Sequence, residues 1–277
     1  MPESILVLLR YPEETQALLS AAARLAQGMG SARINALAIR ETVQIIPAGA
    51  TTLASRADAL LAARDDERQR VLALKTLFGR WAAGVDQGTT DAHWFEAEGD
   101  TAEVVTHWGG RADLIVTDRP RQDDWLGRQA FRIALFGTDR PILMMPPTPA
   151  MPEGGAAFGR SIAIAWRDEK PALRAVLPAL RWLAGAEQVH VLIGAHDTAE
   201  RPAIPPVLLE HGLAVSLHVL ALRPGPSGQT LLDKTHDLSA DLLVMGAYAH
   251  SPLRELILGG VTRHMLSHAD LPVLMRH

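Results

Sequence analysis

The residues best placed to do chemistry lie near the end of the chain, between the apolar run Leu242–Met245 and the helical pattern Val261–His268. Gly246, Gly259 and Gly260 punctuate that stretch. A strand that empties into a glycine-bearing loop and then a helix N-terminus can hold an anion. Unpaired backbone N–H groups and the positive end of the helix dipole face one place there. Glycine lets the backbone approach a phosphate closely. The other reading is that these glycines only make turns, since short glycine motifs are weak evidence by themselves. His250 sits in the same loop, where an imidazole serves as a neutral donor or a charge beside phosphate. Arg10 and Arg167 stand where the first strand of each half ends. A guanidinium there grips phosphate or carboxylate through its planar fork, or is an ion-paired surface residue.

Other chemistry is excluded by composition or spacing. The chain has no cysteine, which removes thiolate nucleophiles, disulfides and cysteine metal sites. Of its 11 histidines, His264 and His268 are spaced to share a helix face, but Met265 rather than Glu follows His264, and no metal site is expected. There is no Gly-x-Ser-x-Gly and no P-loop, and none of the three lysines, Lys75, Lys170 and Lys234, lies in a glycine-rich loop. The usual phosphoryl-transfer apparatus is therefore missing.

The elements that position these residues follow from periodicity. Ile5–Leu9 is a continuous apolar run, hence a buried strand. Leu18, Leu19, Ala22 and Leu25 recur at helical spacing, with Gly28 and Gly30 at the C-cap. Ile34–Arg40 is a second strand, Leu53–Trp81 a long helix, His93–Gly99 a third strand and Thr101–Trp108 a helix. Asp113–Asp118 and Pro141–Met145 complete five strands, and no helix is assigned between them. The segment 146–159 is rich in proline and glycine and reads as a linker.

The second half then repeats the first. SIAIAWRDEKPALRAV (Ser161–Val176) answers SILVLLRYPEETQALL (Ser4–Leu19), and DLPVLM answers DRPILM. GQTLLDKTHDLSADLLVM answers GDTAEVVTHWGGRADLIVT, with Gly228 matching Gly99, Thr230 matching Thr101 and Asp241 matching Asp113. Strands are expected at Gln188–Ile193 and Val215–Ala221, with a short helix around Pro206–His211 between them. Order is kept over nearly the whole length, so a domain is duplicated. Alternating strands and helices imply a parallel sheet covered on both faces, with ligands at the carboxyl ends of its strands.

Bulk numbers fit this picture. The chain has 277 residues, 48% of them hydrophobic, and a net charge of −4. That is enough for two cores and gives no basic footprint for nucleic acid. No signal peptide and no membrane-length apolar run is visible, so a cytoplasmic location is expected.

The C-terminal stretch resembles the signature of the universal stress protein family: Gly, two residues, Gly, nine residues, Gly, then Ser or Thr, with a strand on either side. The resembling residues are DLLVMG (Asp241–Gly246), HSPLRELILGG (His250–Gly260), VTRHML (Val261–Leu266) and LPVLM (Leu271–Met275). Ala249 replaces the second motif glycine, and Gly260 stands at the hydroxyl position. The full motif binds ATP phosphates, so the resemblance implies an adenine-nucleotide site in degenerate form, with magnesium only alongside the nucleotide. Its residues would be Arg167, Asp168, Gly246, Ala249, His250, Gly259, Gly260, Val261 and Thr262. Family members commonly carry Asp just after the first strand; here Arg10 and Arg167 take that place, with Asp168 one step later. The first half has Asp118 where the second has Gly246, lacks Gly-x-x-Gly, and adds Asp123 and Asp124, so its site is read as lost.

The resemblance further implies two tandem doubly wound, Rossmann-like parallel domains of five strands in the order 3-2-1-4-5. Their bounds are read as 1–146 and 160–277, with 147–159 as linker. The last strands would meet at an intrachain pseudo-dimer interface through Ile142, Leu143, Val273 and Leu274. A homodimer of whole chains and an unidentified protein partner are compatible with it. The expected function is stress-response binding or signalling, with no catalytic residues and at most slow nucleotide hydrolysis. A ligand-free interaction scaffold of the same family is the alternative.

Overall fold

The computed structural model describes residues 3–30, 32–41, 53–85, 91–147, 158–167, 170–183, 185–195, 202–221, 227–247 and 260–277. In the first half, β1 (Glu3–Leu9), α1 (Thr15–Gly28), β2 (Ala32–Glu41), α2 (Leu53–Gly84), β3 (Asp91–Gly99), α3 (Thr101–Gly109), β4 (Leu114–Asp118), α4 (Trp125–Gly137) and β5 (Ile142–Met145) follow in order. In the second come β6 (Ser161–Trp166), α5 (Lys170–Leu183), β7 (Gln188–Ala195), α6 (Pro206–Glu210), β8 (Val215–Ala221), α7 (Ser227–Asp237), β9 (Leu242–Gly246), α8 (Gly260–His268) and β10 (Val273–Arg276).

The ten strands among the described residues form one sheet in the order β3-β2-β1-β4-β5-β10-β9-β6-β7-β8. Each half therefore shows the order 3-2-1-4-5, read from opposite ends. Among the described residues every pairing within a half is parallel, and the one antiparallel pairing joins β5 to β10. Its register is Met144 to Val273, Leu143 to Leu274 and Ile142 to Met275. Because Leu143 and Leu274 are equivalent in the repeat and face each other, a pseudo-twofold axis passes between them. The four apolar residues expected at the meeting of the halves lie in this pairing.

Helices cover both faces. Core residues of α1, α2, α5 and α6 pack with Val7, Leu9, Val244 and Leu274 on one side. Those of α3, α4, α7 and α8 pack with Leu6, Leu8, Met245 and Met275 on the other. Strands buried on both faces are continuous apolar runs for this reason. The outer strand β3 carries Asp91, His93, Glu96 and Glu98, charges that discourage pairing with another chain.

Three sequence expectations change. The segment after Asp118 is not one loop: α4 occupies Trp125–Gly137, and the Asp124 carboxylate caps it by accepting from the Gly127 N–H at 2.9 Å. Gly246 does not end its strand from outside but is its last residue. Gly228 lies inside α7, whereas Gly99 ends β3 at φ +144°, so the matched glycines do different work. A Cβ on Gly228 would overlap the His264 side chain, so that glycine lets α7 and α8 touch. Most of the linker lies outside the described residues, as does Pro252.

Candidate functional site at the strand carboxyl ends

Each half has a crevice where strand order reverses, between β1 and β4 and between β6 and β9. Ligands of open α/β sheets bind there. The two crevices are built from equivalent positions with different chemistry.

In the first half the crevice is filled by its own side chains. Arg10, just beyond β1, forms ion pairs with Asp124 and with Glu41 at the end of β2. Its Nη2 donates to Asp124 Oδ1 at 2.7 Å, and the Tyr11 hydroxyl donates to the other oxygen. Burial alone would depress the Arg10 guanidinium, but these two carboxylates outweigh it and hold its pKa above the usual value. The Asp124 carboxyl is destabilised by burial, yet Arg10 and Tyr11 bring its pKa below the ordinary range. Arg70 of α2 buttresses the cluster, donating to the Arg10 carbonyl at 2.9 Å and the Ile39 carbonyl at 2.6 Å. Arg121 stacks 3.7 Å above the Tyr11 ring. Arg10 is thus a structural ion-cluster residue.

Asp118 lies beneath this cluster and is 8% exposed. One carboxylate oxygen takes the Thr117 hydroxyl at 3.2 Å, and the other, Oδ2, is buried with no partner among the described residues. Burial pushes its pKa up to about 7. The cavity bounded by Arg10, Glu41, Arg70, Thr101, Thr117 and Asp118 is about 30 Å³. That is room for one or two waters. Asp123 and Asp124, both expected to add repulsion to phosphate, divide: Asp124 is the cap and ion-pair partner just described.

In the second half the Asp118 position is Gly246. Strand alternation aims it at α5, and a Cβ there would sit 2.6 Å from the Ala172 nitrogen and 2.6 Å from the Pro171 carbonyl carbon. Glycine is required because the start of α5 closes onto β9, a packing reason beyond the anticipated turn. Arg167, directly after β6, is exposed. Gly260 is the first residue of α8, exposed, and a Cβ added to it would meet none of the described residues within 4 Å. Val261 packs against the core, and Thr262, 3% exposed, faces inward with Met265. The Thr262 hydroxyl therefore does not replace the missing motif hydroxyl. Asp168, Ala249, His250 and Gly259 lie outside the described residues.

The histidines behave as spaced. His264 and His268 stack at 4.3 Å, and burial lowers the His264 pKa. His190 and His218, on neighbouring strands, approach to 3.2 Å between ring nitrogens, an association the sequence did not signal. Among the described residues no group of three or more His, Cys, Asp or Glu side chains could hold a metal ion. Trp166 packs against the core. None of the described helices is long and apolar enough to cross a membrane.

The Arg10 cluster escaped the sequence because Arg10 and Asp124 are 114 residues apart. One signal was available: Asp124 precedes an amphipathic run, the pattern of a helix N-cap.

The fold and the paired crevices define a fused pair of doubly wound α/β domains. Residues 187–277 match the model of the Universal stress protein family. That match spans the chain from the start of β7 to the end of β10. No curated protein sequence matches the chain. A universal stress protein from Archaeoglobus fulgidus DSM 4304 superimposes with a TM-score of 0.67 at 14% identity, over 99% of this chain and 95% of that one. A putative universal stress protein from Pseudomonas aeruginosa UCBPP-PA14 gives 0.57 at 16%, covering 99% and 93%. A protein of unknown function from Pseudomonas aeruginosa PAO1 gives 0.57 at 15%, covering 99% and 92%. At such identities the likeness is one of fold.

Proposed function

We propose that this is a stress-response binding protein whose second half takes an adenine nucleotide, with the first half as a structural partner. The observation that carries this reading is Gly260, exposed at the N-terminus of α8, where an added Cβ would meet none of the described residues within 4 Å. That helix follows β9 and returns to β10, so its positive end lies at the carboxyl edge of the sheet, beside the crevice. Backbone N–H groups there suit phosphate regardless of the missing hydroxyl. Arg167 stands at the same edge. The first half supports the asymmetry, since its crevice is occupied by Arg10, Asp124 and a buried acid. The output is binding or signalling in the cytoplasm rather than turnover, with magnesium entering only with the nucleotide.

Thermal shift with ATP, ADP and AMP, with and without magnesium, tests this. Gly246→Val is a poor probe, because the Pro171–Ala172 backbone blocks it and any loss would report misfolding. Gly260→Glu is better: a carboxylate in the first turn of α8 favours the helix but repels phosphate. We expect a nucleotide shift in the wild-type chain and its loss in Gly260→Glu at unchanged basal stability. No shift in the wild type would leave the ligand-free scaffold.

A further inference from the structure

A second cavity lies away from both crevices, where the halves join. It measures about 140 Å³ and is lined by Glu3, Asp113, Arg140 and Arg276, with Met29 and Pro178 among its apolar walls. The sheet register puts it there. Met275 pairs with Ile142, so Arg276, the next residue, falls beside Pro141 at the start of β5. Alternation turns Arg276 to the face of Leu274, between α1 and α5.

Both arginines are anchored at one end only. Arg276 Nη2 donates to the Asp139 carbonyl at 3.0 Å, and Asp139 adopts φ 52° in the turn before β5. Arg140 Nη2 donates to the Gly110 carbonyl at 2.7 Å. The Nε–H groups of both are buried and find no acceptor among the described residues. Leaving a buried donor of a charged group unmade is costly, so an acceptor is wanted.

The cavity does not come with the fold. At the equivalent positions of the other half, Leu271 replaces Arg140 and Met145 replaces Arg276, both buried. The matching acids share one contact: Asp113 accepts from the Ser4 N–H at 2.9 Å and Asp241 from the Ser161 N–H at 3.3 Å, but Asp241 also takes the N–H groups of Gly159 and Arg160. Phe158 packs into the core there, its carbonyl accepting from Arg24 Nε at 2.7 Å. Two arginines thus stand in one copy where the other has apolar side chains.

We infer that this cavity is a binding site for a small carboxylate of amino-acid size, its carboxylate held by the Nε–H groups of Arg140 and Arg276. A cavity of about 150 Å³ takes a ligand of benzene size, so about six to ten non-hydrogen atoms fit. Asp113 and Glu3 on the same lining admit an ammonium or hydroxyl and disfavour a multiply charged oxyanion such as phosphate. The ligand touches Arg276 of the second half and Arg140 of the first, so it clamps the junction.

The test uses the full chain with glycine, acetate and inorganic phosphate as probes at constant ionic strength. We expect glycine or acetate at millimolar concentration to raise Tm by a few degrees and to give saturation-transfer NMR signals, with phosphate inert. Both effects vanish in Arg140→Met, and also in Met29→Trp, which fills the space while keeping both arginines. If Arg140→Met does not fold, Met29→Trp decides. No response to glycine or acetate, an equal response in the variants, or a response to phosphate alone overturns the proposal.

Discussion

At the scale of single residues, one substitution within the repeat separates the two crevices. Gly246 lets α5 close onto β9, whereas Asp118 occupies the same position in the first half and pays for burial with a raised pKa of about 7. The sign of the pH effect follows. A carboxyl that holds its proton more tightly when folded makes folding take up a proton between its two pKa values. Stability is then full below the unfolded value of about 4 and falls as pH rises toward the folded value. Asp118→Asn removes this burden. We expect it to stabilise the chain by roughly 1–4 kcal/mol at alkaline pH and by little in acid, as urea denaturation at the two extremes would record. A gain that did not depend on pH would assign the effect to packing.

At the scale of elements, α3 and α4 both start on an aspartate, but the two caps differ in reach. Asp100 accepts from the Ala102 and Glu103 N–H groups at 2.9 and 3.1 Å at an exposed helix start. Asp124 caps α4 and also neutralises Arg10 and binds Tyr11, tying that helix to β1. Asp100→Ala should cost about 1 kcal/mol, the ordinary value of a cap. Asp124→Ala should cost about 2–4 kcal/mol, because it also removes one of the two carboxylates that neutralise the half-buried Arg10 guanidinium. Equilibrium denaturation of the two variants checks the contrast; equal losses would mean that the Arg10 cluster adds nothing.

At the scale of the whole molecule, one antiparallel pairing of short strands turns two sheets into one. Leu143 and Leu274 are each 1% exposed at the pseudo-twofold axis, and one core cluster runs from Leu18 to Val176 through them. The halves should therefore unfold together, as a single calorimetric transition. Leu274→Asp buries an unpaired charge at the axis, at a cost of several kcal/mol. We expect it to split the transition in two, with the second half melting first. A single transition at lower temperature would mean that the halves stay coupled through α1, α5 and Phe158 instead.

The repeat, the alternation of strand and helix, and the near-continuous apolar runs are properties of local sequence, so the doubly wound class and the doubling are legible without coordinates. Periodicity follows from the geometry of helix and strand alone. The α4 helix is harder to see, because its start falls in a segment that reads as the loop of a lost site and its one local mark is the cap at Asp124. The rest depends on residues far apart in sequence. Arg10 meets Asp124, Gly246 meets Ala172, and Arg140 and Arg276 come to line one cavity only after the chain has crossed its own sheet. The charge state and freedom of a side chain depend on what surrounds it in space, and sequence spacing carries no record of that. Hence the sequence by itself determined a duplicated sheet with crevices at its carboxyl edges. The acids at Asp118, Asp123 and Asp124 already marked the first-half site as lost; tertiary structure alone decided how that crevice is plugged and where two arginines face an open cavity.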